Sequence, residues 1–544
     1  MKIFKPVSEI LRSLTTKKVK KMIVYAITSL AVTIIPLWYV YYLLFSPLAL
    51  TGVDSAVHIT ISRWMLEEHS ILVPFSQFFF LKDANVGYYP ALFQGSVGIL
   101  HVLTGINEVS LLKYSMLLVF LLGAFSIWIL SKQLSYGEPI KWMFVYFVLL
   151  FNSGLVIKEF RDGIYSEIIA MWFLLPLFIY FFLRRRMAYS VVLLVLILPI
   201  HNVSAIMAGA LVLSFLIMYI LHKEWGNLKF TLKVVVLTLA LSVPSLYYYF
   251  FLTLRDNVMQ NPERSYELLL FSDYPRFLTS FTFYVGIICL VIIAIFNKRY
   301  RWLPLWFGMY LTLGYIPYWS SRVMRWMTVP LSLSIGIVVY DVVNIATQGG
   351  KIKLPFHKHV KEYNLPNNPK VKMFTLLLLS LIIVYNGIGS LAFESNPTIV
   401  DYFTPLKAEA YSWLNARTTS RDCTIVIRQL DSWARVYLNH RVYEVLPPSG
   451  QTQLSVPDRV VNNQLTSALM DPYTLDALST FEKYNISYFI LSTTLPQRWY
   501  PPETAPFANT LLSINYEIVS SYKLVYQKDI NDEMIKIYEI QFPQ

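Results

Sequence analysis

Asp54 and His58 stand four residues apart in "TGVDSAVHITISRWMLEEHS" (51–70), a spacing that puts a carboxylate and an imidazole on one face of a helix. Further along, Arg161, Asp162 and Glu167 crowd into "IKEFRDGIYSE" (157–167), and Arg322 and Arg325 lie three apart in "SSRVMRWMTVP" (320–330). Carboxylates brought from two loops onto one face are what general-base work or divalent-cation binding needs. Two guanidinium groups on one helix face suit the clamping of a phosphate or carboxylate. His201 and Asn202, in "LPIHN" (198–202), add an imidazole at an apparent membrane-depth turn. Each group also has a plainer reading. Asp54 suits a helix N-cap, and Asp162 and Glu167 suit a solvated turn before a span, Glu167 being favourable at the helix N-terminus. His201 suits a neutral ring bonded to a backbone carbonyl, and the two arginines suit snorkelling to lipid headgroups. No P-loop, GxGxxG, GxSxG or HExxH announces another chemistry.

The elements that position these groups are dictated by the bilayer. Of 544 residues, 56% are hydrophobic, 16% aromatic and only 15% charged, which is too apolar for a soluble globular chain and predicts a polytopic α-helical membrane protein. Apolar stretches at 22–45, 111–131, 141–156, 167–183, 187–201, 203–221, 230–251, 279–296, 302–318, 324–345 and 373–393 predict about eleven transmembrane helices. The fifth and sixth meet at "LPIHN" and also read as one broken helix pair. The first run is too long for a signal-peptide core and lacks a cleavage site, so it is expected to stay as an anchor.

The net charge of +13 falls in short clusters between apolar runs, which speaks for orientation signals and not for nucleic acid. With the N-terminus placed in the cytoplasm, every second connection carries a basic cluster: "SKQLSYGEPIK", "RRRM", "HKEWGNLK", "NKRYR" and the Lys-rich 351–372 loop. The acids and all the candidate site residues then fall on the outer side. The apolar but Gly/Pro-bearing segment 86–105 fits as an interfacial or re-entrant helix inside a first outside loop at 46–110. The helix "SAVHITISRWMLEE" has an amphipathic pattern suited to lying in the interface. These patterns divide the chain into a transmembrane domain at 1–393 and an extracytoplasmic α/β domain at 394–544, where short β-branched runs such as "DCTIVIRQL" alternate with amphipathic helical pieces. Two cysteines, Cys289 in an apolar run and Cys423 far away, predict neither a disulfide nor a zinc site.

An aspartate just after the first span, a His-bearing helix and "YYPALF" (88–93) resemble the GT-C superfamily of integral-membrane glycosyltransferases. The second outside loop, "FRDGIYSE" (160–167), resembles the acidic stretch of oligosaccharyltransferase catalytic subunits, and "AYSWLNA", "DSWARVYLNHRVYE" and "EKYNISYFILS" are similar to the outer domain of archaeal members. The resemblance implies transfer of a sugar from a polyprenyl-phosphate-linked donor to a lipid, glycan or protein acceptor at the outer face of the cell membrane. It implies Asp54 as general base, with Glu167, and Asp162 beside it, assisting or binding a divalent cation. Arg322 or Arg325 would hold the departing lipid phosphate, with His58, Arg161 and His201 as further substrate-binding candidates. A divalent cation, Mg or Mn, held by Asp54 and Glu167 is one cofactor expectation; metal-independent transfer is the other, because no DxD follows Asp54. Where the oligosaccharyltransferases carry WWDYG for acceptor recognition, this chain has "DSWARVY" (431–437), which favours a simpler monosaccharide transferase over protein N-glycosylation. A lipid-linked solute transporter or flippase is the rival of another class, disfavoured because the charges gather on one side without repeated halves.

Overall fold

The computed structural model describes residues 17–45, 53–67, 69–70, 91–152, 164–247, 278–315, 320–347, 351–352, 363–364, 369–394, 403–427, 433–447, 456–493, 504–530 and 533–542; at some helix ends, including 53–54 and 320–322, only the backbone is described. Each of the predicted apolar stretches contains a helix among its described residues: α1 (Lys17–Phe45), α4 (Glu108–Leu134), α5 (Pro139–Phe151), α6 (Tyr165–Leu183), α7 (Met187–Ile200), α8 (Asn202–Leu221), α9 (Trp225–Tyr247), α10 (Ser280–Phe296), α11 (Trp302–Gly314), α12 (Ser320–Thr347) and α13 (Pro369–Glu394). Two further helices lie in the first outside loop, α2 (Val53–Glu67) and α3 (Ala91–Thr104).

Crossing a bilayer takes about 20 residues at 1.5 Å each, and length separates these helices. Among the described residues six are long and apolar enough to cross: α1, α4, α6, α8, α9 and α12. The segments Ser280–Phe296 and Lys298–Gly314 meet at 118° and together make a seventh candidate, whereas α5 and α7 are shorter apolar helices. The expected count of eleven full crossings is therefore not established by helix length. At "LPIHN" the chain does break: α7 runs through Pro199 to Ile200, and His201, with φ −157° and ψ 112°, closes α7 and caps α8. Helix α3, at 14 residues, is too short to span, in keeping with its expected place beside the membrane.

The helices share one buried core, in which α12 packs against α5, α10, α11 and α13. Lipid-tail solvent gives little drive to bury apolar side chains, so close backbone approach and buried hydroxyl pairs hold such helices together. Thr33 on α1 meets the Tyr146 hydroxyl of α5 at 2.5 Å, and Tyr310 of α11 donates to the Met207 carbonyl at 3.1 Å. Helix α6 contains a π-helical segment, Ile169–Leu174, in which the Leu175 N–H reaches back to the Ala170 carbonyl. Pro176 accounts for it: lacking an N–H, and with a ring that would strike the carbonyl four residues back, proline is accommodated by widening the preceding turn. The widened turn turns Trp172 onto α4, where its indole donates to the Phe120 carbonyl at 3.3 Å.

Helix α2 differs from its expected surface placement. Ser55 through Ser62 are all buried, so its first half is enclosed by protein on every side. It packs against α3 and against α15 (Ala434–Tyr437) of the C-terminal part. The amphipathic pattern was misleading because Ser55, His58, Thr60 and Ser62 face polar partners or close backbone, not water.

After α13 come α14 (Pro405–Asn415) and a five-stranded sheet in the order β4-β3-β5-β7-β6, numbered so that the short antiparallel pair Lys351–Ile352 and Tyr363–Asn364 is β1 and β2. Strand β3 (Cys423–Ile427) pairs in parallel with β4 (Arg441–Val445) and β5 (Ile486–Ser492); β7 (Glu533–Ile540) closes the sheet antiparallel to β5 and to β6 (Tyr522–Ile530). Alternate residues face opposite layers. Tyr488 and Ile490 join the core shared with the membrane helices, and Phe489 and Leu491 pack under α16 (Val456–Met470), α17 (Leu475–Lys483) and α18 (Thr504–Ser513). The sheet thus has two buried faces, which is why its strands read as apolar runs.

Gly123 on α4 tests the α4–α6 contact that the π-segment creates. A Cβ there would fall 1.8 Å from Trp172 Cδ1, whereas one at Gly209 would meet nothing within 4 Å. Gly123→Ala is expected to destabilise by on the order of 2 kcal/mol through overpacking, read as a lowered melting temperature in detergent, while Gly209→Ala is neutral or mildly stabilising. Equal melting temperatures for the two variants would contradict this packing.

Candidate functional site

Four helix segments meet where α2, α3 and the first turns of α6 and α12 converge. From α2 come Ser55 and His58, both buried. The His58 Nδ1 lies 2.8 Å from the Gln94 side-chain nitrogen of α3, and its ring packs edge-on to Phe93 at 5.1 Å. An amide N–H donating to Nδ1 leaves the neutral ring's proton on Nε2. Tyr165, at the start of α6, accepts from the Ser55 hydroxyl at 3.0 Å and lies 6.1 Å from the His58 ring. Two residues later Glu167, fully buried, turns to α12: the Trp326 indole donates to Oε1 at 2.8 Å and Arg325 Nη1 lies 3.5 Å from Oε2. One turn of α6 therefore joins the helix that carries Asp54 and His58 to the helix that carries Arg322 and Arg325.

A carboxylate out of reach of water must be met by charge and hydrogen bonds, or it takes up a proton. Arg325 supplies the charge and Trp326 a donor. The arginine side chain keeps 24% exposure while Glu167 has none, so the guanidinium reaches from the buried acid to the space outside it. A guanidinium group matches phosphate oxygens as well as carboxylate oxygens.

A second arginine steadies the site from behind. Arg63, two turns beyond Ser55 on α2, donates from Nε and Nη2 to the two oxygens of Glu108 at 3.1 and 3.3 Å, and from Nη1 to the Val436 carbonyl of α15 at 2.6 Å. This ties α2 to the start of α4 and to the C-terminal part, within the "DSWARVY" stretch. Asn107 caps α4 next to Glu108, its side chain accepting from Val109 N at 2.9 Å.

The sequence-predicted residues fall into three groups. Glu167, Arg325 and His58 belong to the converging segments. Asp54 and Arg322 lie by backbone in the first turns of α2 and α12, and their side chains are outside the described ones. Arg161 and Asp162 lie outside the described residues. His201 has a capping job: its Nδ1 accepts from the Ser204 N–H at 3.3 Å and sits 2.6 Å from the Ser204 hydroxyl. Ser55, Arg63, Gln94, Tyr165 and Trp326 were not singled out from the sequence. The signal for Trp326 was available, since a span-end carboxylate such as Glu167 demands donors and Trp326 adjoins Arg325.

Neither a protein-family model nor a curated protein matches the chain. Solved structures do. The archaeal oligosaccharyltransferase AglB from Archaeoglobus fulgidus, in complex with an inhibitory peptide and a dolichol-phosphate, superposes with a TM-score of 0.57 at 11% identity over 85% of this chain and 69% of that one. ArnT from Cupriavidus metallidurans bound to undecaprenyl phosphate gives 0.56 at 11% identity over 96% and 99%. The arabinofuranosyltransferase AftD from Mycobacteria gives 0.55 at 14% identity over 95% of this chain and 41% of that longer one. Another structure of the A. fulgidus oligosaccharyltransferase is a complex with Zn and sulfate. The chain has the fold of the GT-C membrane glycosyltransferases and is distantly similar to them.

The Glu167–Arg325 contact is tested by a double-mutant cycle. Arg325→Met strips the carboxylate of this cation and is expected to cost about 3 kcal/mol, seen as a lower melting temperature in detergent. Glu167→Gln in the same chain removes the unmet charge, so the double variant is expected to lose less than the two single losses added. Strict additivity would show that the two side chains do not interact.

Proposed function

We propose that the protein is a membrane glycosyltransferase that moves a sugar from a polyprenyl-phosphate-linked donor to an acceptor at the outer face. The observation that carries this reading is the junction at the first turn of α6, where Glu167 holds the partly exposed Arg325 of α12 and Tyr165 holds Ser55 on the helix of Asp54 and His58, at the end of a helix long and apolar enough to cross a membrane. A substrate with a lipid tail and a polar head needs a site at that depth. The fold shared with AglB, ArnT and AftD supports the same reaction class, and two of those structures hold a polyprenyl-type phosphate.

In this reading Asp54 is the general base. The acceptor's hydroxyl proton passes to its carboxylate while the acceptor oxygen bonds to the anomeric carbon. The bond from that carbon to the phosphate oxygen breaks, and its electron pair stays on the lipid phosphate. Arg325, with Arg322 one turn away on α12, meets the charge that the phosphate gains. Glu167 is a positioning residue: it holds the Arg325 guanidinium and the Trp326 ring so that the cation is in place before the bond breaks. His58, fixed by Gln94, stands one turn after Asp54 on the same helix. The N-terminus lies in the cytoplasm and the C-terminal α/β part, residues 394–544, outside.

Of the two carboxylates expected to hold a divalent cation, the Glu167 side chain is described and the Asp54 side chain lies outside the described residues. Both oxygens of Glu167 already face N–H donors, and among the described residues no three His, Cys, Asp or Glu side chains gather. In this reading the charge work falls to the arginines. Protein N-glycosylation is the second reading, favoured by the likeness to AglB and disfavoured by "DSWARVY", where Val436 is engaged in holding α2.

Purified protein given a radiolabelled polyprenyl-phosphate sugar and a membrane extract as acceptor source is expected to transfer label, with Asp54→Asn slower by roughly 10²- to 10⁴-fold at unchanged donor binding. Undiminished transfer by that variant would remove Asp54 from the mechanism, and absence of donor binding by the wild type would remove the glycosyltransferase reading. Label in an Asn-x-Ser/Thr peptide supplied as acceptor would favour the second reading.

A further inference from the structure

At the end of the helix bundle remote from Glu167, the C-terminal ends of α4, α6 and α8 and the turn between α10 and α11 surround a cavity of about 270 Å³. Its wall combines cations with rings: Arg185, Lys298 and Arg299 line it together with Phe182, Phe215 and Trp302. The only carboxylate in the lining, Glu224, leaves an excess of positive charge.

The cations are held in place. Arg185 stands in the tight turn between α6 and α7 with φ 53°, a left-handed conformation that a non-glycine residue adopts at some strain. Its guanidinium donates to the Asn227 side-chain oxygen, and the Asn227 amide donates to Glu224 at 2.5 Å. The Arg299 guanidinium lies over the ring of Tyr136, 3.2 Å from its centroid, and Tyr136 is itself left-handed at φ 53°.

Positive residues at this end have a general explanation, since the carbonyl ends of helices attract cations and cytoplasmic connections collect Lys and Arg. That explanation accounts for Arg184, Arg186, Lys223 and Lys229; Arg185, Lys298 and Arg299 are exposed around the same turns as well, and differ in lining the cavity. It does not account for a cavity with fixed guanidinium groups at its mouth and stacked rings behind them, Phe215 lying 4.9 Å from Trp302 and 4.7 Å from Phe182. A phosphate monoester or diester is the anion that guanidinium forks match. The cavity lies among the ends of α4, α6 and α8, helices long and apolar enough to cross a membrane, and the rings of Phe182, Phe215 and Trp302 stand within its otherwise polar lining. Both features select a lipid over a soluble phosphate.

We propose that this cavity binds the phosphate-bearing headgroup of an anionic membrane lipid, on the basic side of the membrane opposite the Glu167 site. The lipid would brace α6, α8 and the α10–α11 turn from the far end of the helix that carries Glu167.

Native mass spectrometry of the full chain in detergent, titrated with phosphatidylglycerol or phosphatidylcholine of the same acyl length, tests it. Phosphatidylglycerol is expected to remain bound under activation that strips phosphatidylcholine. The triple variant Arg185→Gln, Lys298→Gln, Arg299→Gln is expected to weaken its binding by roughly tenfold or more. An equal removal of charge outside the cavity, Arg186→Gln, Lys223→Gln, Lys229→Gln, is expected to leave the preference in place. Equal losses in the two triple variants would show a general surface potential and overturn the site. Displacement of the lipid by inorganic phosphate at equal concentration would overturn the lipid as occupant, and so would equal retention of the two lipids.

Discussion

A carboxylate with no exposure at the mouth of a membrane span has to be answered from a neighbouring helix, and Glu167 is answered by Arg325 and Trp326 of α12. That contact fixes more than one charge. Two residues before it Tyr165 is fixed to Ser55, and through Ser55 the helix of Asp54 and His58 is set against the same turn of α6. Removing either partner of a buried ionic pair costs several kcal/mol, because the other is left desolvated. The geometry of the candidate site is thereby tied to the stability of the bundle.

The remainder of the fold serves that junction. Pro176 forces the π-segment directly after Glu167, and the widened turn sends Trp172 against Gly123 so that α4 braces α6 from the side. Arg63 joins α2 to Glu108 and to the carbonyl of Val436, so the five-stranded C-terminal part bears directly on the site helix. Its sheet shares one face with the membrane helices' core, leaving no water layer between them at Val426, Tyr488 and Ile490. The basic end of the bundle is built differently, with rings and guanidinium groups around a cavity in place of a buried acid.

The helices were legible in the sequence because apolar runs of bilayer length have few other uses, and each such run contains a helix among its described residues. Their capacity to cross was less legible: α5, α7 and α11 end early, where Asn152, His201 and Tyr315 close them, and hydropathy does not see a cap. Charge on one side of the membrane drew attention to Glu167 and Arg325, which the structure brings together. The burial of α2 was hidden, since Ser55 and Thr60 read as a polar face when their partners come from a residue far along the chain and from the helix's own carbonyls. Tyr165 and Gln94 were hidden for the same reason: no local pattern records a contact made across 110 or 36 positions. The strand order β4-β3-β5-β7-β6 was likewise beyond reach, though the alternation of apolar runs and helices marked an α/β part after residue 393.

The central claim is that a polyprenyl phosphate sits against the Glu167 junction. Photo-crosslinking with a polyprenyl phosphate carrying a diazirine beside its phosphate, followed by peptide mapping, measures this directly. The account predicts label on α2, on the first turn of α6 and on the first turns of α12, reduced by unlabelled polyprenyl phosphate and by Arg325→Met. Label confined to the basic cavity near Arg185 and Arg299, or spread over the lipid-facing surfaces of α1 and α9, would contradict it.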